Sequence, residues 1–216
     1  MPIFQKDDRR IYFCHIPKTA GSHVYLMFVA NGWELKNYSF SPKRGTSKDL
    51  KDRFGVTEVA IEGDTSQVAT SLQHATYQGW KDWGPFESSF AITRNPVKRY
   101  ISAVRYRYGL VRNREETLAE FRSMVLKKLQ KKLSEKPKVF DGHFISQTEF
   151  IAPNTDLFQF EGDWEAGLMQ AYDLKPIEGT ITNASKAERF ELNQAELSWV
   201  QTKYADDFAR LNYAFP

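Results

Sequence analysis

The run HIPKTAGSHV, residues 15–24, places a lysine, two hydroxyl groups and a glycine between an apolar strand-like segment and an apolar helix-like segment. In an α/β sheet such a junction lies at the carboxyl edge, where ligands usually bind. The unpaired N–H groups at the start of the helix favour an anion, and Gly21 lets the backbone approach it closely. Lys18 can add a point charge, and Thr19 and Ser22 can add hydroxyl donors. An ordinary strand–helix turn with a solvent-facing lysine is the alternative interpretation.

This loop differs from the one that binds nucleoside triphosphates. That pattern, GxxxxGK[ST], places the lysine directly after a glycine and a metal-binding hydroxyl directly after the lysine. Here Lys18 stands three residues before Gly21, and the upstream glycine is missing from the sequence. The residues therefore predict an anion site of a different kind.

The apolar pattern predicts the elements that position this loop. RIYFCHI (10–16) is typical of a buried strand, and residues 19–30 of a helix. Further elements are predicted as strands at VAIEGD (59–64), SSFAITRN (88–95) and TDLFQFEGD (155–163), and as a helix from Trp164. Residues 36–57 are polar and turn-rich, which indicates an exposed excursion with one short helix. Strands that alternate with helices predict an α/β fold with a mainly parallel central sheet flanked by helices on both faces.

Two further helix starts carry capping signals. Asn95 can cap a helix that begins with Pro96. Asn193 and Glu196 have the spacing of a capping box. The helix that follows this box is expected to place four apolar side chains on one face: Leu197, Val200, Tyr204 and Leu211.

Residues 117–134 combine an apolar stripe with a run of lysines. The stripe has near-helical spacing and consists of Leu118, Phe121, Val125, Leu129 and Leu133. This pattern predicts an amphipathic surface helix whose lysines are solvated. A nucleic-acid-binding arm is the less favoured interpretation, and no nucleic-acid partner is predicted.

Length and composition indicate one folded domain, residues 1–216, because 41% of the chain is hydrophobic and no repeat or low-complexity linker interrupts it. The net charge of +3 is compatible with an anionic ligand and equally with a solvated surface. The single cysteine, Cys14, cannot form an internal disulfide and is expected to be a buried structural thiol in a reducing compartment.

The sequence predicts neither a membrane span nor a secretory signal. No segment reaches the roughly 20 apolar residues that cross a bilayer. The start, MPIFQKDDRR, lacks the basic-then-apolar layout of a signal peptide. We therefore expect a soluble, cytoplasmic protein, provided that the chain carries its natural start.

Two motifs give the chain a resemblance to a known family. HIPKTAGSHV resembles the 5′-phosphosulfate loop of the carbohydrate sulfotransferases, HxPKTAGT[ST]. TRNPVKRYISAVRY, residues 93–106, resembles their 3′-phosphate motif, RDPVxRxxSxY. The motifs stand in the family's order. Weaker likeness continues through GHFISQTEFI, LFQFEGDWEAGL and WVQTKYADDFARLNY.

The resemblance implies a P-loop-like, three-layer fold and the donor 3′-phosphoadenosine 5′-phosphosulfate (PAPS). A donor with two separated anionic ends needs two cationic sites on one sheet edge. By resemblance, Lys18 and the backbone of Thr19, Ala20, Gly21 and Ser22 would hold the 5′ end. Arg94 and Ser102 would hold the 3′-phosphate, for which the planar fork of arginine is well suited. Lys18 would also stabilise the leaving group, since negative charge grows on its bridging oxygen.

The chain departs from the family pattern at two positions. Asn95 replaces the usual aspartate, although both residue types cap helices. His23 stands where a small hydroxyl residue is common, and it is expected either to touch the phosphosulfate or to pack. Arg99, on the face of Ser102, is expected to form a structural ion pair.

The acceptor hydroxyl needs a base, and histidine is suited to this role near neutral pH. His74 resembles the histidine that acts as base in relatives that sulfate uronic acid hydroxyls. His143 and Glu62 are the alternatives for the base, and His143 could instead bind the acceptor. His15 is expected to orient the loop.

The remaining expectations concern the partners of the chain. No group of potential ligands shows metal spacing, so no metal is predicted. The implied partner is a carbohydrate or another hydroxyl acceptor. Tyr77, Trp80 and Trp83 can stack on a sugar or form a hydrophobic lid. A small-molecule kinase and a nucleotide-binding protein without turnover remain the alternative functions.

Overall fold

The computed structural model describes residues 1–41, 43, 45–83, 88–110, 117–132, 140–178 and 190–215. The strands are β1 (Ile3–Lys6), β2 (Arg9–Phe13), β3 (Glu34–Lys36), β4 (Ser88–Thr93) and β5 (Asp156–Gln159). The α-helices are α1 (Gly21–Ala30), α2 (Gly45–Phe54), α3 (Pro96–Leu110), α4 (Leu118–Lys132), α5 (Trp164–Tyr172), α6 (Gln194–Lys203) and α7 (Ala205–Arg210). Short 3₁₀ turns cover Leu72–His74, Tyr77–Gly79 and Gln147–Glu149.

The five strands form one sheet in the order β3-β1-β2-β4-β5. The predicted parallel arrangement holds for β2, β4 and β5. The sheet as a whole is mixed, because β1 pairs antiparallel with both β2 and β3, so the prediction of a mainly parallel sheet is confirmed only in part. Only Asp7 and Asp8 connect β1 to β2, and so short a connection permits a hairpin but not a parallel crossover.

Alternating side chains of the central strands fill both faces of the sheet. On one face Phe13 and Phe90 stack with ring centroids 4.9 Å apart, beneath the apolar side of α1 and beside α5. On the other face Tyr12 stacks on the fully buried Trp80 at 5.9 Å. In the described residues this second face packs against loops and 3₁₀ turns rather than against a long helix. Helices α3, α4 and α6 enclose a third apolar cluster.

One predicted strand is wrong. VAIEGD (59–64) is irregular and is held beside the end of β3 by Asn37. The backbone N–H of Asn37 donates to Ala60 O at 2.8 Å, and its side-chain amide accepts from the N–H of Glu62 at 2.6 Å. A side-chain amide thus takes the place of a backbone ladder.

Most of the helix predictions are confirmed. Asn95 Oδ1 accepts from the N–H of Val97 and Lys98 at the start of α3, and the capping box of Asn193 and Glu196 is present. Helix α4 buries Phe121, Val125 and Leu129 of its apolar stripe and exposes Lys127, Lys128 and Lys131. The amphipathic helix is thereby confirmed, although Leu133 lies outside the described residues. The last predicted helix is interrupted at Tyr204, between α6 and α7. Within the described ranges, no helix is both long and apolar enough to cross a membrane.

Candidate active site

The loop between β2 and α1 has the backbone of an anion site. Lys18 and Ala20 both have left-handed φ angles, of 73° and 71°, and Thr19 lies between them. Such alternation turns successive N–H groups towards one point. The first N–H groups of α1 lack intrahelical acceptors by geometry, and its first turn carries no acidic side chain. The Thr19 hydroxyl donates to Ile16 O at 2.7 Å, so its backbone rather than its hydroxyl is available to a ligand.

Lys18 lies at the junction of the loop and α3. Its Nζ is 3.9 Å from the centroid of the Tyr106 ring, in a cation–π contact. Burial, reinforced by the charges of Arg94 and Arg107, lowers the pKa of Lys18 from 10.5 to about 8. This ammonium is therefore surrounded by positive charge, and an anion would relieve the repulsion.

Side chains of α2 and α5 complete the surroundings of the loop. Ser22 Oγ accepts a hydrogen bond of 2.7 Å from Thr46, in the first turn of α2. His23 packs edge-on against Trp164 of α5, with centroids 5.4 Å apart, and its Nε2 lies 3.6 Å from Glu165. The packing expected of His23 is present, and its contact with the phosphosulfate stays a prediction.

Arg94 follows β4 directly and lies beside the loop. Its Nη1 donates to Lys18 O at 3.0 Å, and its guanidinium lies 4.4 Å from the Phe160 centroid. The buried Gln147 fixes the Arg94 backbone with two hydrogen bonds, of 2.9 and 2.7 Å. Among the described residues Arg94 Nε is buried without a partner, which fits a group that waits for a phosphate oxygen. Ser102 lies half-buried two turns into α3 and makes no hydrogen bond to Arg94 within the described part of the chain.

Among the described residues, Arg99 does not form the ion pair expected of it. The guanidinium is fully buried and donates to the backbone carbonyls of Pro17, at 3.0 Å, and His143, at 3.3 Å. Carbonyls replace a carboxylate as its partners because α3 passes directly beneath the two loops. Arg99 thus connects the anion loop to the segment that carries His143.

Three histidines from distant parts of the chain lie in a row beside this loop. The His74 ring is 4.9 Å from that of His15 and 5.1 Å from that of His143. His143 in turn stacks on Tyr106 at 5.2 Å, so one aromatic ring separates it from Lys18. Burial, together with the neighbouring His74, lowers the pKa values of both His15 and His143 well below 6.5. Both imidazoles are therefore neutral at physiological pH.

The outer histidines are held by separate contacts. His15 Nδ1 shares a hydrogen bond of 2.6 Å with the Tyr25 hydroxyl, and its other edge lies against Gly21. This contact with the start of α1 agrees with the orienting role expected of His15. His143 Nδ1 lies 3.0 Å from Arg107 Nη2 and 2.7 Å from Phe140 O.

His74 is paired with a carboxylate that no sequence motif indicated. Its Nδ1 is 2.9 Å from Asp141 Oδ2, and Ser71 binds the same carboxylate through its N–H and its hydroxyl. Burial raises the pKa of Asp141, but the hydrogen bonds from His74 and Ser71 and the charge of His74 together outweigh it and keep the pKa below its ordinary value. The pair comes from positions 67 residues apart, and only the fold reveals it.

The structure separates Glu62 from this cluster. Glu62 forms ion pairs with Lys36, at 2.7 Å, and with Arg10, at 2.8 Å, near the amino end of β2. The hydrogen bond from Lys36 holds the pKa of Glu62 below its ordinary value, which makes it a poor base. Trp80 belongs to the core beneath the sheet, so the hydrophobic interpretation holds for this member of the aromatic loop.

A metal could in principle approach His74, Asp141 and His143, whose potential ligand atoms lie within 4.8 Å of one another. Two features favour a hydrogen-bonded cluster instead. The 2.9 Å between His74 Nδ1 and Asp141 is a hydrogen-bond distance, and the guanidinium of Arg107 contacts His143. A dication would meet this charge and that of Lys18.

The chain was also compared with known proteins. Neither the search of curated proteins nor that of solved structures gave a significant match. A sequence profile described as the sulfotransferase family matches residues 1–214. This match covers both strand-end motifs and the segment that carries the histidine cluster. The chain therefore belongs to the sulfotransferase family.

Proposed function

We propose that the protein transfers a sulfuryl group from PAPS to a hydroxyl of a carbohydrate acceptor. The observation that carries this proposal is the position of Lys18. Its ammonium lies between the backbone anion site of residues 18–22 and, across the Tyr106 ring, the histidine cluster. A group that binds a departing anion and a group that accepts a proton thus lie next to each other, as an in-line transfer requires.

The residues fit the two anionic ends of PAPS. The N–H groups of Thr19–Ser22 and the Lys18 ammonium would hold the 5′-phosphosulfate. Arg94, whose buried Nε has no partner among the described residues, and Ser102 would hold the 3′-phosphate. PAPS supplies the activated S–O bond. The carbohydrate nature of the acceptor rests on the resemblance of both motifs to those of carbohydrate sulfotransferases.

In the proposed reaction His74 takes the proton of the acceptor hydroxyl. The acceptor oxygen forms a bond to sulfur, and the bond between sulfur and the bridging phosphate oxygen breaks. The electron pair of that bond stays on the 5′-phosphate, where Lys18 and the loop N–H groups stabilise the new charge. His74 suits the base better than His143 because it lies between two neutral imidazoles and is bound to a carboxylate.

The test is sulfate transfer from ³⁵S-labelled PAPS to a panel of glycans. We expect transfer by the parent protein and a loss of about 10²–10⁴-fold in kcat for His74→Ala, the usual contribution of a positioned base. Calorimetry with adenosine 3′,5′-bisphosphate should give the same Kd for parent and variant. Nucleotide binding without transfer to any hydroxyl would identify a binding protein instead. Near-parental kcat in His74→Ala would assign the base to His143.

A further inference from the structure

We propose that Asp141 is a positioning residue for His74, holding its Nδ1–H so that Nε2 is the nitrogen that faces the acceptor. The contribution of Asp141 to catalysis rests on the proposed function of His74 as the base. The tautomer assigned to His74 does not depend on that function. His74 was assigned by resemblance to the family's base, whereas no resemblance indicated Asp141.

The hydrogen bond between the two side chains selects one tautomer. An ionised carboxylate can only accept, so the nitrogen 2.9 Å from Asp141 Oδ2 must carry the proton. In a neutral imidazole the other nitrogen, Nε2, is then the unprotonated one. A base needs this free lone pair, and an imidazole of the opposite tautomer would present an N–H to the acceptor instead.

Asp141 is itself held in place by the turn that carries His74. Ser71 donates its backbone N–H to Oδ1 at 2.7 Å and its hydroxyl to Oδ2 at 2.8 Å. The N–H of His74 donates to Ser71 O at 2.8 Å, and Thr70 donates to His74 O at 2.7 Å. Imidazole, turn and carboxylate therefore form one closed set of hydrogen bonds, which leaves the ring little freedom to rotate.

The backbone around Asp141 is strained. Phe140, Asp141 and Gly142 have consecutive left-handed φ angles of 58°, 53° and 73°. Non-glycine residues adopt this conformation only where the surrounding structure requires it, often at functional sites. Here it directs the Asp141 carboxylate to His74 while the Phe140 carbonyl meets Arg107 and the His143 ring. One strained turn therefore orients both imidazoles on the acceptor side.

Asp141→Asn tests the inference, and Asp64→Asn is its matched control. Asp64 also accepts from the N–H and the hydroxyl of a serine, Ser66 at 2.8 and 2.9 Å, without a histidine partner in the described structure. In ¹⁵N-histidine-labelled protein, two-bond ¹⁵N–¹H correlation spectra report the tautomer of each ring. Subtraction with His74→Ala identifies the signals of His74.

We expect a pyrrole-type Nδ1 and a pyridine-type Nε2 for His74 in the parent and in Asp64→Asn. In Asp141→Asn the two signals should average or exchange places, and kcat should fall about 10²-fold or more with the bisphosphate Kd unchanged. Parental tautomer and parental kcat in Asp141→Asn would overturn the proposal. So would a parent whose His74 carries its proton on Nε2, or one that binds Co²⁺ one to one through this cluster.

Ser71→Ala keeps the test decisive if Asp141→Asn does not fold. It leaves the carboxylate in place but removes one of its two tethers, so part of the His74 population should lose the Nδ1–H tautomer. An unchanged tautomer population together with unchanged kcat would count against the positioning role. If the parent transfers no sulfate at all, the proposed function fails, but the spectra still decide the tautomer.

Discussion

Lys18 is the residue whose surroundings predict a pH dependence of donor binding. In the free protein its pKa is lowered from 10.5 to about 8 by burial and by Arg94 and Arg107. Above pH 8 the free protein has lost this proton, whereas phosphate favours the charged ammonium. Binding must then take up a proton, so the affinity for adenosine 3′,5′-bisphosphate should fall by up to about tenfold per pH unit above pH 8. Below pH 8 Lys18 should contribute no slope.

Calorimetry between pH 7 and 9.5 measures this slope. Lys18→Arg is the matched control because arginine stays charged throughout that range. Its affinity should be flat above pH 8, even if it is lower overall. A parent protein whose affinity is equally flat would show that Lys18 is charged in the free state or lies outside the donor site.

The individual residues of the candidate site also show how much of it could be predicted from the sequence. Lys18, Gly21 and Arg94 lie within motifs of fixed spacing, and the structure brings all three to one sheet edge. Asp141 and Tyr106 were missed as members of the site, because their contacts join segments far apart in the chain. An aspartate beside the predicted histidine of DGHF was the one available signal, and only the fold shows that it faces His74.

At the scale of elements, the close packing of His15 against α1 makes Gly21 irreplaceable. A Cβ at Gly21 would lie 1.9 Å from His15 Nε2, which itself is held by Tyr25. Gly21→Ala should therefore displace the loop or the ring and cost about 1–3 kcal/mol of unfolding free energy. It should also weaken binding of the bisphosphate, because the first N–H groups of α1 move.

Urea unfolding and calorimetry of Gly21→Ala check this expectation. Gly79→Ala is the control, since the nearest atom to its added Cβ, Gln67 O, is 3.6 Å away. The control should stay within about 0.5 kcal/mol of the parent. Equal effects of the two substitutions would mean that the contact between His15 and Gly21 does not constrain the loop.

The strands also show which elements the sequence pattern could and could not predict. The strands β2, β4 and β5 were predicted because each carries a clear apolar run. The antiparallel strands β1 and β3 were missed, since Gln5 and Lys6 or Glu34 and Lys36 interrupt their apolar pattern. VAIEGD had a strand-like pattern, but the amide of Asn37 satisfies its backbone groups instead. Short strands in which polar residues alternate with apolar ones are therefore hard to predict from local pattern, because tertiary contacts decide their pairing.

The third apolar cluster supports the proposed donor site through the segment 144–148. The buried Asp207 of α7 accepts a hydrogen bond from the N–H of Gln147. The Gln147 side chain in turn forms hydrogen bonds with the backbone N–H and carbonyl of Arg94. Tyr204, between α6 and α7, donates its hydroxyl to Phe144 O at 3.0 Å. The C-terminal helices thus hold the segment 144–148, and through it the strand end that carries Arg94.

One buried ion pair fixes these helices to α4. Glu196, 1% exposed, binds Arg122 and also accepts from the N–H of Asn193 at 3.0 Å. Glu196→Ala should leave the partly buried Arg122 guanidinium without a carboxylate partner, with its hydrogen bond to Glu191 O remaining, and should remove half of the capping box. We expect a loss of about 3–5 kcal/mol in the free energy of unfolding, measured by urea denaturation.

Glu196→Gln is the conservative variant for this test, and Asp52→Ala is its control at an exposed ion pair. Glutamine keeps an acceptor for Arg122 and for Asn193 but loses the charge, so its loss should be intermediate. Asp52 pairs with Lys48 on the exposed side of α2, where both side chains are about half exposed, and its removal should cost less than about 1 kcal/mol. If Glu196→Ala costs no more than Asp52→Ala, the pair with Arg122 does not anchor α6. Bisphosphate affinity should stay at the parental value wherever the variant is folded, because Glu196 lies outside the proposed donor site.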